Sequence, residues 1–187
     1  MGLSGQWVKG SRMFFKSNRH SRSRSRRARL ALALALCIAL PASGLQYGNV
    51  APQFEVATSD RTIRLDDYAG KIVYLDFWAS WCGPCKQSFP WMNEMQGKYG
   101  PKGLKIIGIN LDAKREDGQR FLARTAASFT IGFDPAGRLA RLYAVKGMPS
   151  SVLIGRDGKI TLMHVGFDPA ARAELEQAIV AALENGK

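Results

Sequence analysis

The stretch FWASWCGPCKQSFPW (77–91) places two cysteines three apart, with glycine and proline between them and tryptophans on both sides. Such a pair can hold a metal, staple a fold or carry two electrons. A structural zinc site takes four ligands, usually two cysteine pairs or one pair with two histidines. After residue 44 the chain offers Cys82, Cys85 and a single histidine, His164, which is too few. A purely structural Cys82–Cys85 bridge would close a very small loop and remove little entropy from the unfolded chain. Electron transfer explains more of the residues. A cysteine at a helix N-terminus faces unpaired N–H groups and the positive end of the helix dipole, both of which favour its thiolate. Cys82 is then the nucleophile that attacks a substrate disulfide, and Cys85, one turn inside, is the resolving thiol. Gly83 and Pro84 form the tight link, because proline tolerates a first helical turn where its missing N–H is not needed.

Asp76 lies six residues before Cys82, inside the apolar run IVYLDFW. Strand alternation sends Tyr74 and Asp76 to one face and Leu75 and Phe77 to the other. A carboxyl in such a strand is desolvated and its pKa raised, which suits a proton acceptor for Cys85 during resolution. Trp78 and Trp81 are expected to shield the disulfide and to offer a partner an apolar surface. Metal ligands and cofactors are not expected. His164 reads as a hairpin residue, and the Lys and Arg of 114–141 as a solvated face.

The elements that must position these residues can be read from periodicity. KIVYLDFW (71–78) and LKIIGINLD (104–112) are nearly continuous apolar runs, as strands buried on both faces require. A helix over residues 82–97, kinked at Pro90, joins them, so the two strands should be parallel with a right-handed crossover. TIRL (62–65) reads as a short edge strand followed by a turn through 66–70, and residues 45–60 as a loose lead-in. Phe121, Leu122, Thr125 and Phe129 give residues 115–129 helical spacing. Residues 134–145 hold a short helix with Leu139, Leu142 and Tyr143 on one side. SSVLIG and KITLMHVG flank Arg156-Asp157-Gly158, an Asp-Gly hairpin turn. The last helix has Asp168 as N-cap, Pro169 at its first position, Leu175, Ile179 and Leu183 on one face, and Gly186 as its stop. The sum is one α/β domain, residues 45–187, with a mixed sheet.

The formal charge of +12 suggests a nucleic-acid binder until its distribution is considered. Nine of the 27 Lys and Arg, and no acid, fall in residues 1–44, leaving 18 basic against 15 acidic residues and a net +3 for the rest. No nucleic-acid partner is expected. The basic stretch ends in SRSRSRRAR (21–29) and is followed by LALALALCIAL (30–40) and PASG (41–44), the order of a secretory signal peptide. Ala42 and Gly44 stand at −3 and −1 to a cut before Leu45. Eleven apolar residues fall short of the about 20 that span a bilayer, so cleavage is expected, with tethering through residues 30–40 as the alternative. SRRARL (25–30) resembles a twin-arginine pattern, Met13 offers a second start, and Cys37 reads as filler because Leu36 is too bulky for a lipid-attachment signal. Export places the body in an extracytoplasmic, periplasmic setting.

FWASWCGPC with Asp76 before it and Pro90 after it, together with the distant VKGMPSSVLI (145–154), resembles the thioredoxin superfamily. Over roughly residues 48–185 the chain is more similar to the exported TlpA/ResA-like branch than to cytosolic thioredoxin. The resemblance implies a thioredoxin fold with an N-terminal extension and a central insertion at about 113–133. It also implies a cis Pro149 lying against the active-site disulfide, with Met148 offering backbone to an extended substrate segment. Two departures stand out. The Gly-Pro between the cysteines is that of general thioredoxins, and Gly108 falls where thioredoxin carries the lysine that partners its buried acid.

The first functional reading is an extracytoplasmic protein-disulfide reductase, a monomer, passing electrons to apocytochrome c or a copper-site protein and recharged by a membrane thiol-electron donor of the CcdA/DsbD type. An oxidant or isomerase of folding proteins is the alternative within enzymes. A metallochaperone holding Cu(I) on two thiolates is the alternative outside them. A peroxidase would want a peroxidatic cysteine in a Pro-Thr-rich loop beside an arginine, which the sequence lacks.

Overall fold

A computed structural model describes residues 45–185; the leader, Cys37, the cut before Leu45 and the Gly186 stop lie outside the described residues. The chain order is β1 (Glu55–Ala57), β2 (Thr62–Arg64), β3 (Ile72–Trp78), α1 (Gly83–Tyr99), β4 (Leu104–Asn110), α2 (Arg115–Leu122), β5 (Thr130–Phe133), α3 (Arg138–Leu142), β6 (Ser150–Ile154), β7 (Ile160–Val165) and α4 (Pro169–Glu184), with single 3-10 turns at Leu65–Tyr68 and Gly100–Lys102. The strands form one seven-stranded sheet in the order β2-β1-β5-β4-β3-β6-β7. β3 pairs in parallel with β4, and β4 with β5, as crossovers through α1 and α2 require. β3/β6, β6/β7, β1/β5 and β1/β2 are antiparallel. This is the mixed sheet flanked by helices that the resemblance implies.

β3 is central, and all seven of its residues are buried. Its alternation divides the core. Tyr74 and Trp78 join Phe89, Met92 and Met95 of α1 and Leu175, Ile179 and Leu183 of α4 on one side. Leu75 and Phe77 join Ile107, Ile109, Leu139 and Tyr143 on the other. Each buried Leu or Ile of α4 stabilises the fold by about 1.5–3 kcal/mol. That helix begins where Asp168 Oδ1 accepts a hydrogen bond from Ala171 N at 2.9 Å, with Pro169 in its first turn.

The structure departs from the sequence expectations in four places. The lead-in 45–60 contains a strand, β1, which pairs with both β2 and β5. The helix expected over 115–129 ends at Leu122, and residues 130–133 form β5. The cause is Asn93 of α1, whose Nδ2 donates to Ala126 O (2.8 Å) and whose Oδ1 accepts from Ser128 N (2.7 Å). That clamp captures the backbone which a longer helix would need. It also turns Phe129 against Phe89, with ring centroids 5.4 Å apart. Third, Leu139 of α3 and Tyr143 at its C-cap are buried as an i, i+4 pair, but Leu142 falls off that line and is 45% exposed. Fourth, the turn after TIRL is a 3-10 helix, with Arg64 N donating to Asp67 Oδ2 at 2.8 Å.

Candidate active site

β3 delivers its C-terminal end into the turn Ala79-Ser80-Trp81, and Cys82 caps α1. That turn is pinned from β4's side by Asp112. Its carboxylate accepts from Ser80 N (3.0 Å), Ser80 Oγ (2.9 Å) and Asn110 Nδ2 (2.7 Å). Asp112 is only 2% exposed, so each of those bonds forms away from water and holds the turn firmly.

Cys82 and Cys85 are joined by a disulfide, with Cα atoms 5.3 Å apart. Both are buried, Cys85 completely. Cys85 N donates to Cys82 Sγ at 3.2 Å, so an unpaired N–H of the first turn points directly at that sulfur. No acidic residue stands in this first turn, and the 17-residue helix presents its positive end to Cys82. Gly83 and Pro84 are exposed, and Pro84 occupies the first turn. Pro90 is exposed inside the helix, which runs on to Tyr99; lacking an N–H, Pro90 leaves one intrahelical bond unmade.

The two tryptophans separate in role. Trp78 is fully buried, with its ring 4.8 Å from Phe89 and 5.0 Å from Phe121, and so belongs to the core under the site. Trp81 is 69% exposed immediately before Cys82. The Met148–Pro149 peptide is cis. Met148 packs against the same apolar cluster that contains both cysteines. Beyond it, Gly166 N donates to Pro149 O at 2.8 Å, tying this loop to the end of β7.

Asp76 is 1% exposed on the face of β3 it shares with Tyr74 and Trp78. Burial pushes its pKa up from 3.8 to about 7, against the opposing effect of a hydrogen bond from Ser151. Ser151 Oγ donates to Asp76 Oδ1 at 2.7 Å, and Tyr74 Oη donates to Ser151 Oγ at 2.7 Å. Asp76 Oδ2 has no protein partner. Gly108 lies opposite Asp76 in the parallel register. A side chain there would begin 3.1 Å from Phe129, 3.2 Å from Ile131 and 3.2 Å from Trp78 Nε1, so the lysine's place is closely covered by two apolar side chains and an indole. His164 is half-buried on β7, in register with Ser151.

Sequence reasoning missed Ser151, Tyr74 and the Ser80–Asp112–Asn110 network. Signals existed for two of them: a serine pair opening the otherwise apolar β6, and an aspartate closing an apolar strand at the edge of the dithiol loop. Among the described residues no group of three or more His, Cys, Asp or Glu is gathered that could hold a metal.

Residues 47–163 match the pattern of the AhpC/TSA family. The chain belongs to that family. The thiol-disulfide oxidoreductase ResA of Bacillus thuringiensis subsp. konkukian is 36% identical over 117 residues, covering 62% of this chain and 68% of the relative. Among solved structures, the thiol:disulfide interchange protein DsbE from Chlorobium tepidum is 56% identical with a TM-score of 0.73, covering 74% of this chain and 99% of that one. A protein disulfide isomerase from Bacteroides thetaiotaomicron is 29% identical with a TM-score of 0.69, covering 75% and 91%. The fold is the thioredoxin fold, and the protein is a thiol-disulfide oxidoreductase.

Proposed function

We infer that the protein is an extracytoplasmic reductant of protein disulfides. The observation that carries this reading is the polarised setting of Cys82, with a helix N-terminus behind it, Cys85 N–H aimed at its sulfur and no acid in the first turn. In the reduced protein those groups favour a Cys82 thiolate at neutral pH. That thiolate attacks one sulfur of a substrate disulfide; a Cys82–substrate disulfide forms and the other substrate sulfur leaves as a thiolate. Asp76 takes the proton of Cys85, directly or through water. The Cys85 sulfur attacks Cys82 Sγ, the second substrate sulfur leaves, and the Cys82–Cys85 disulfide remains. Two electrons have passed to the substrate. Trp81, Gly83, Pro84, Met148 and Pro149 form the rim against which an extended segment of the substrate lies.

The secretory order of residues 1–44 supports export, with residues 45–187 as the mature domain and residues 30–40 as a tether if the leader is retained. Among the described residues no helix is long and apolar enough to cross a membrane. Apocytochrome c or a copper-site protein is the proposed substrate, and a membrane thiol-electron donor of the CcdA/DsbD type the proposed partner. The reduction potential tests the direction of flow. A value near roughly −270 mV in a defined dithiol buffer supports the reductant, and one near roughly −120 mV turns the assignment to oxidative folding.

A further inference from the structure

The buried carboxyl of Asp76 lacks a cation. No Lys or Arg is buried among the described residues. The groups that surround Asp76 can be named element by element. β3 itself brings Tyr74, and β4 brings Gly108. β6 brings Ser151, with His164 of β7 one strand further out in the same register. The titratable groups on the buried face of α1 are Cys85, with Cys82 at the cap, and Tyr99 at the opposite end of the helix, whose hydroxyl is committed to Glu176 at 2.7 Å. The buried face of α4, Ala171, Leu175, Ile179 and Leu183, brings nothing that titrates. Whatever holds a negative charge on Asp76 must therefore be a neutral donor, and the only donor bonded to it among the described residues is Ser151 Oγ.

The direction of the chain matters. Ser151 has one hydroxyl proton and gives it to Asp76 Oδ1 (2.7 Å), while its own oxygen accepts the Tyr74 proton (2.7 Å). Both dipoles thus point at the carboxylate, and the second polarises the first. The opposite oxygen, Oδ2, is unpartnered and is left to receive a proton. β3 and β6 fix this geometry, because Asp76 and Ser151 are directly paired residues of the antiparallel ladder.

We propose that Ser151, backed by Tyr74, is the positioning residue that keeps Asp76 ionisable, taking over through two hydroxyls the work that a buried lysine would do at the Gly108 position. The proposal rests on the reading of Asp76 as proton acceptor for Cys85. It makes Ser151 a determinant of the pH at which resolution runs, without contact to the substrate.

The test is a 13C NMR titration of the Asp76 carboxyl in the oxidised full-length protein, wild type against Ser151→Ala, Tyr74→Phe and Ser151→Thr. In parallel, Cys82 of the reduced protein is loaded with thionitrobenzoate, and its release by Cys85 is followed from pH 5 to 9. Ser151→Ala loses a hydrogen bond to a charged oxygen, which should move the Asp76 titration upward by about one to two units. A one-unit shift lowers the ionised fraction at pH 7, and with it the release rate, by about fivefold. Tyr74→Phe should shift both readouts the same way by less, and Ser151→Thr should restore them. Tyr74→Phe alone carries the test if Ser151→Ala does not fold. An Asp76 titration that superimposes on wild type in both Ser151→Ala and Tyr74→Phe, with Asp76→Asn still slowing release, overturns the proposal alone. Release from Asp76→Asn as fast as from wild type overturns the acceptor reading and the proposal with it.

Discussion

Replacing Asp76 by asparagine should remove a pH dependence of stability whose size follows from burial. The carboxyl titrates near its ordinary 3.8 when unfolded and at about 7 in the fold, because desolvation penalises its charge. Between those values the folded protein holds more protons than the unfolded one, so stability is greatest below the unfolded pKa and is lost as pH rises through the folded one. The complete shift of about three units corresponds to roughly 4 kcal/mol. Within it, the loss between pH 5 and pH 8 comes to about 2–3 kcal/mol. The substituted asparagine would carry a buried amide with its own cost, but that cost is the same at both pH values and cancels from the comparison. Every other group is common to both proteins and cancels from the comparison. Urea denaturation of the oxidised proteins at pH 5, 6, 7 and 8 reads the difference directly. The stability of the variant relative to wild type should rise by about 2–3 kcal/mol from pH 5 to pH 8, most of it below pH 7. Parallel stability curves would refute the reasoning, since they would mean that Asp76 titrates alike in both states.

Two glycines in helices should respond oppositely to alanine. A Cβ at Gly97 of α1 meets nothing within 4 Å, so Gly97→Ala should stabilise by about 0.5–1 kcal/mol in thermal or urea unfolding. A Cβ at Gly118 of α2 would sit 2.6 Å from Asn110 Oδ1, and Asn110 cannot swing away while its Nδ2 holds Asp112. Gly118→Ala should therefore destabilise by about 1–3 kcal/mol in the same assay. Trp81→Ala, at a 69% exposed position, should leave the urea midpoint within about 0.5 kcal/mol of wild type. It should slow reduction of a protein disulfide more than that of a small-molecule disulfide, because only the larger substrate spans the rim.

Much of the site was legible because its determinants are local. Cys82 caps α1 by virtue of Gly83 and Pro84, and the burial of Asp76 follows from six apolar neighbours in IVYLDFW. The hairpin and the last helix carry their own turn and cap residues, Asp157-Gly158 and Asp168-Pro169. What escaped depends on contacts distant in sequence. β5 exists because Asn93, 35 residues before Ser128, stops α2 from continuing. β1 forms a short hairpin with β2 and joins the main sheet only through β5, at the Ala57–Phe133 pair. Neither β1 nor β5 has enough residues for period-two alternation to declare itself: three in one, four in the other.

The absence of a lysine at residue 108 has structural consequences on both sides of β3. Gly108 in the sequence says only that no cation stands at that position of β4. The structure adds that its place is filled: Phe129 arrives through the same Asn93 clamp that ends α2, and Ile131 follows on β5. A Cβ restored at residue 108 would press on both, at 3.1 Å and 3.2 Å, and each would have to give way. Compensation for a charge on β3 then has to come from the other neighbouring strand, and β6 supplies it at the one residue directly paired with Asp76. Beside Asp76, β4 thus offers a bare Gly108 covered by Phe129 and Ile131, and β6 offers the Ser151 hydroxyl. Charge support for the buried acid has moved from a cation on β4 to hydroxyls on β3 and β6. A lysine is charged across the physiological range, whereas hydroxyl donors only partly offset desolvation, so Asp76 is left to titrate near neutrality.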